Sequence, residues 1–156
     1  MHRSVRRIAP DGTWLAAAGY DGRVRIWDAA TGRRKAVLAG HSGLVLTLAI
    51  APDSTWLASA GYDGTVRIWD TATGREREAL ARHTNSLETV AITADDRWLA
   101  SAGQDGTVRI WDTTTWQVQA LMRTDAEISS CAWLGSSALA LAGKEAGLYL
   151  FSFTGT

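Results

Sequence analysis

Two sets of residues in this chain have the types that hydrolytic chemistry uses: His41, Ser59 and Asp63, and then, 42 residues further on, His83, Ser101 and Asp105. A serine hydroxyl activated by an imidazole, with a carboxylate to orient the ring, cleaves esters and amides whatever the order of the three along the chain. Two features argue against that use here. Each set recurs with the period of the whole sequence, and each is followed by a tryptophan, Trp69 or Trp111, whose buried indole N–H needs an acceptor. Gly40-His41-Ser42-Gly43 is not a nucleophile elbow either, because Leu44 stands where that turn requires glycine. The sequence contains no Walker phosphate loop, no paired-cysteine metal site and no His-Glu-x-x-His. The expectation is a chain with no catalytic residue, no cofactor and no metal.

The elements that carry these residues come from an internal repeat. Ala-Gly-Tyr-Asp-Gly-x-Val-Arg-Ile-Trp-Asp stands at 18–28 and 60–70, and returns at 102–112 with Gln104 for the tyrosine. Trp14, Trp56 and Trp98 keep the same spacing, as do Trp27, Trp69 and Trp111, so six of the eight tryptophans belong to the repeat. A period in the forties means stacked units, each too small to bury its own apolar face. The units run approximately 1–40, 41–82, 83–124 and 125–156, the first and last degenerate.

Within a unit, apolar residues alternate or come in short runs bounded by Gly, Asp and Pro, which predicts strands and excludes helices. In the second unit the strands are Val45 to Ala51, Trp56 to Ala60, Thr65 to Trp69 and a polar outer strand from Glu76 to Ala81. Pro52-Asp53 stops the first, Asp63-Gly64 makes a two-residue hairpin with positive φ, and Thr73-Gly74 turns into the last. Each unit is a four-stranded antiparallel meander, and the fold class is all-β.

Gly40-His41 opening a repeat, Ser59 in the second strand, Asp63 in the hairpin and Trp69-Asp70 closing the third strand resemble the WD40-repeat family, whose four-stranded sheets are blades of a β-propeller. The resemblance implies a hydrogen-bonded chain of histidine, serine, turn aspartate and tryptophan inside a blade. His41, Ser59, Asp63 and Trp69 fill those positions in the second unit, and His83, Ser101, Asp105 and Trp111 in the third. The chain then supplies about four blades, incomplete or part of a larger propeller. Trp14, Trp56 and Trp98 are expected to pack between blades.

The ends depart from the pattern. Ala17 stands at the serine position of the first unit, and the histidine position would fall before Met1. Arg6 and Arg7 fall in what should be a buried strand, so the segment is expected to shift register or peel away. The chain reads as starting partway through a longer array. In the last unit Asp125, Leu141 and Phe151 replace histidine, serine and tryptophan, while Ala142-Gly143, Gly147 and Leu148 to Phe151 echo the hairpin and third strand. Its Cys-Ala-Trp and Gly-Leu-Tyr-Leu-Phe strings are similar to the tail of propellers fused to bacterial signalling ATPases of the STAND/NB-ARC type. The fold would therefore be an arc of a longer protein, or half of a ring that a second copy completes, because an isolated arc exposes an apolar sheet face at each end.

Composition narrows the partners. Of 156 residues, 46% are apolar and 21% charged, with 16 basic against 16 acidic, giving no net field to attract nucleic acid or an anionic membrane. No apolar run approaches the ~20 residues of a membrane-spanning helix, and no secretory signal opens the chain, so the expected location is cytoplasmic. The single cysteine, Cys131, reads as small core filler. The expected function is a non-catalytic scaffold that docks proteins. The resemblance puts partner contacts at the residue before each turn aspartate, Tyr20, Tyr62 and Gln104, and at the starts of first strands, Leu44, Leu46, Ser86 and Glu88. The alternative is a sensory or regulatory tail of a larger signalling ATPase.

Overall fold

A computed structural model describes residues 5–144 and 147–153 as fifteen β-strands in four antiparallel sheets, with no helix among the described residues. The first sheet holds β1 (Arg6–Ile8), β2 (Trp14–Ala18), β3 (Arg23–Asp28) and β4 (Arg34–Ala39). The second holds β5 (Val45–Ile50), β6 (Trp56–Gly61), β7 (Thr65–Asp70) and β8 (Glu76–Ala81), and the third β9 (Leu87–Ile92), β10 (Trp98–Gly103), β11 (Thr107–Asp112) and β12 (Val118–Arg123). The fourth has β13 (Ile128–Leu134), β14 (Ala138–Gly143) and β15 (Leu148–Ser152), with no fourth strand among the described residues. Strand order in each sheet is sequence order, an up-and-down meander, so these are β-propeller blades in an incomplete array.

Local chemistry explains the turns. Asp53 accepts from the Thr55 N–H at 3.0 Å and the Thr55 hydroxyl at 2.7 Å, closing the β5–β6 corner behind Pro52. The β6–β7 hairpin differs from the expected two-residue turn. Of Asp63 and Gly64 only Gly64 has positive φ, at 72°, and its N–H donates to the Gly61 carbonyl at 3.1 Å, so Tyr62, Asp63 and Gly64 form a three-residue loop ending in a left-handed glycine. From this loop the Asp63 carboxylate reaches the segment before β5, where it accepts from the Ser42 N–H at 3.1 Å.

The core lies between sheets. Trp56, Ala58, Ala60, Val66 and Ile68 on one face of the second sheet pack against Val90, Leu99 and Trp111 on the facing side of the third. The first sheet meets the second through Trp14, Ala16, Val24 and Ile26 against Leu48, Leu57 and Trp69, and the third meets the fourth through Ala100, Ala102 and Val108 against Leu139 and Leu141. Small alanines on one face admit the large side chains of the next, so the sheets interlock at near-crystal density. Inner strands are also stitched by hydrogen bonds: the Val90 N–H donates to Thr47 Oγ1 at 3.3 Å and the Cys131 N–H to Thr89 Oγ1 at 3.2 Å. Cys131 is half-buried in that seam, and burial pushes its thiol up to about 11. Trp56 meets Trp116 edge to face at 5.4 Å, and Trp98 meets Phe153 at 4.9 Å.

The first strand corrects an expectation. β1 neither shifts nor peels away: Arg6 pairs with Ala17 as Leu48 pairs with Ser59, in the same register. Arg6 and Arg7 are both exposed, so their charges stay hydrated and carry no burial cost.

Candidate functional site

The residues with hydrolase character are gathered by the meander, twice. β6 supplies Ser59, the β6–β7 loop Asp63, β7 Trp69, and the segment before β5 His41. His41 Nδ1 lies 2.9 Å from Asp63 Oδ2, His41 Nε2 2.7 Å from Ser59 Oγ, and the Trp69 indole N–H donates to the same Oγ at 2.8 Å. In the third sheet the corresponding distances are 2.9 Å for His83 to Asp105, 2.8 Å for His83 to Ser101 and 2.9 Å for Trp111 to Ser101. One protonation pattern satisfies each chain: Nδ1–H donates to the carboxylate, the serine O–H donates to Nε2, and the serine oxygen accepts from indole. The imidazole is then neutral. Burial lowers the pKa of His41 and His83 from the ordinary value, against the pull of their aspartates. Burial also raises Asp63 and Asp105, but the N–H groups of Thr65 and Thr107, the threonine hydroxyls and the imidazoles outweigh it and hold both carboxyls low.

The atom order matches that of a serine hydrolase, but access does not. Ser59 and Ser101 are 0% exposed, and the serine oxygen that would attack already accepts from indole. No acyl group reaches it without opening the sheet, and what the arrangement does chemically is satisfy every polar group it buries.

Sequence reasoning passed over one member of each chain. Thr65 Oγ1 donates to Asp63 Oδ1 at 2.8 Å and sits 3.4 Å from His41 Nδ1, and Thr107 does the same at 2.8 and 3.2 Å. The signal was present: Asp-Gly is followed by Thr65 and Thr107, but by Arg23 in the first unit. There Asp21 takes Arg25 at 2.6 Å, and that guanidinium holds its carboxyl down to about 2. In the fourth sheet Leu141 opposes Cys131 as Ser101 opposes Val90, and Phe151 opposes Leu139 as Trp111 opposes Leu99, so an apolar pair occupies the serine and tryptophan positions. Asp125 is exposed, and the hairpin residues 145 and 146 lie outside the described residues.

The proposed contact residues sit around the loops at one edge of the sheets. Tyr20 and Tyr62 are 57% and 55% exposed, while Gln104, Leu44, Leu46 and Glu88 are half-buried. The Tyr62 N–H donates to the Leu44 carbonyl at 3.0 Å and the Gln104 N–H to the Ser86 carbonyl at 2.9 Å, so each turn is anchored on the start of its own first strand. Gln104 also donates to Glu88 at 2.9 Å. Ser86 is a correction: it is buried, and it serves the turn through its carbonyl and offers no side chain to a partner. The chain crosses closely there, a Cβ on Gly103 standing 2.2 Å from the Ser86 oxygen. Among the described residues no cluster of three or more His, Cys, Asp or Glu is placed to hold a metal ion.

A family model described as WD domain, G-beta repeat matches residues 2–28, 32–70 and 74–112. No curated protein sequence matches the chain.

Proposed function

The chain belongs to the WD40-repeat family, whose repeats generally mediate protein–protein interactions as non-catalytic modules, and on that premise we propose that it is a docking scaffold for protein partners. Its contact surface is the loop edge carrying Tyr20, Tyr62 and Gln104, with Leu44, Leu46 and Glu88 between them. The observation that supports this reading is the pair of exposed tyrosines at equivalent turns of adjacent sheets. Tyrosine offers a large contact area with a polar tip at low entropic cost, and the backbone of Tyr62 is already pinned on Leu44. A hot-spot aromatic is worth about 2 kcal/mol or more. A partner captured by the wild-type chain and then identified should lose at least tenfold in affinity against Tyr62→Ala, with the circular dichroism unchanged. An unaltered Kd would defeat the reading.

The two outer faces support a second reading, of assembly. At one end Ile8, 73% exposed, stands with Leu15, Ala17 and Trp27 around an open, mostly apolar cavity of about 530 Å³ that Arg6 and Arg7 also line, Arg6 at the place Leu48 holds in the next sheet. At the other, Leu148 and Leu150 are 72% and 65% exposed beside Ala140 and Ala142. These are the two halves of the contact that joins consecutive sheets inside the chain, alanines with β-branched or leucine residues against leucine and tryptophan. A second copy completes both contacts, and two four-sheet arcs give eight blades, within the ~4–8 of known propellers. Sedimentation of the 156 residues should show a dimer. Leu150→Glu and Ile8→Glu should each dissociate it, while mixing the two variants restores one intact contact and hence association. A monomeric wild-type chain, or a dimer indifferent to Ile8→Glu, would rule the second copy out and leave further repeats as the occupant.

A further inference from the structure

The same arginine of the repeat is placed three times and satisfied twice. Arg25 is held by Asp21 at 2.6 Å in the first sheet, and Arg67 by Glu76 at 2.5 Å in the second. In the third sheet Arg109 occupies this position, but Asp105 is committed to His83 and the counterpart of Glu76 is Val118. Among the described residues Arg109 makes no hydrogen bond or ion pair; its Nε is buried without a partner, as is that of Arg67, but Arg67 has its Nη1 on Glu76 and Arg109 has no such contact. A second departure adds to the first. In the second sheet Gly40 lies against the ion pair, a Cβ there being 3.2 Å from both Arg67 Nη1 and Glu76 Oε1. The counterpart of Gly40 is Arg82.

Both guanidinium groups line one groove of about 600 Å³ between the outer strands of the second and third sheets, with Trp116 and Gln117 on its far wall and Glu78 on the near edge. Two arginines thus face one carboxylate, where the preceding sheet has a neutral pair. We propose that this groove docks an acidic side chain of a protein partner, the incoming carboxylate taking on Arg109 the place that Glu76 holds on Arg67. Arginine presents parallel N–H donors that match a carboxylate, and a half-buried guanidinium gains most from such a partner because water reaches it poorly. Arg82, more exposed, adds attraction that salt screens. The indole of Trp116, held edge to face by Trp56, gives the peptide backbone a rigid wall.

This inference rests on the reading of the chain as a protein-docking module. The probe is a fluorescein-labelled peptide of alternating alanine and glutamate, blocked at both ends, followed by anisotropy. Binding should saturate, weaken with salt and vanish for the glutamine version of the peptide. Arg109→Gln should weaken it at least tenfold. Val118→Glu, which supplies the carboxylate that Glu76 provides in the second sheet, should abolish it, and Arg67→Gln, in that sheet's ion pair, should leave it unchanged. Thermal unfolding of each variant checks that the sheets persist. Binding indifferent to Arg109→Gln would overturn the proposal, as would displacement by inorganic phosphate far more effective than by acetate at equal ionic strength. Absence of peptide binding alongside a Tyr62-dependent partner would remove the groove and leave the loop surface standing.

Discussion

In the second and third sheets Trp69 and Trp111 are each 2% exposed with the indole N–H given to a serine, whereas Trp27 in the first sheet lines an open cavity and Phe151 in the fourth has no N–H to give. The backbone frame is nevertheless the same, since Leu15, Leu57, Leu99 and Leu139 oppose these four rings in identical register. The comparison separates two jobs. Register and strand pairing need only the alternating apolar pattern and the turn residues, and all four sheets have them. The polar chain from carboxylate to indole is an addition that a sheet can carry only when neighbours on both sides keep water out.

The largest expected difference between inner and outer sheets comes from removing the ring itself. Trp111→Ala should cost about 3–5 kcal/mol, the loss of a packed aromatic and the cavity it leaves, while Trp27→Ala, at an open face, should cost about 1 kcal/mol or less. Urea unfolding followed by far-UV circular dichroism measures both, and equal losses would erase the distinction. A smaller step removes only the charge at the head of the chain. Asp105→Asn should cost about 2 kcal/mol, because a buried imidazole N–H and a threonine hydroxyl lose an ionised acceptor. Asp21→Asn should have little effect, since its ion pair with Arg25 is solvated. A finding that Asp21→Asn is the worse of the two would show that the outer turn depends on its carboxylate for more than a surface pair.

The smallest expected effect is a pH dependence. His41 and His83 are held neutral in the folded state with pKa values lowered by burial, so the unfolded chain takes up their protons first. Their contribution is complete above the unfolded value of about 6.5 and is lost as pH falls through the folded value. Asp63 and Asp105, also lowered, add a loss at more acid pH in the same direction. The Tm should therefore decline from pH 7 to pH 5, and a His41→Gln, His83→Gln variant, though less stable, should show a flatter profile. A Tm that rises on acidification would mean that the imidazolium, and not the neutral ring, is the folded form.

Much of this was legible in the sequence because the repeat prints each element three times. Strand positions in the second unit fell within one residue of those observed, and the eight residues of the two polar chains were named from the resemblance to the WD40-repeat family. Thr65 and Thr107 escaped notice because a threonine after Asp-Gly also reads as an ordinary strand start. Ser86 was assigned to the contact surface from the family resemblance, whereas its burial is a property of the folded chain that its place before a strand does not reveal. The misjudged fate of Arg6 and Arg7 has the same origin, since periodicity says which face a residue shares but not whether another sheet lies over that face.

By itself the sequence determined the meander, its turns, its register and the identity of the polar fasteners, because each is set by contacts within about twenty residues and by backbone chemistry. Only the tertiary structure decided which faces are closed and that Arg109, of the three equivalent arginines, goes unpaired. Those properties belong to the space between sheets, where residues from different repeats meet and where the removal of water, rather than the residue type, sets the energy.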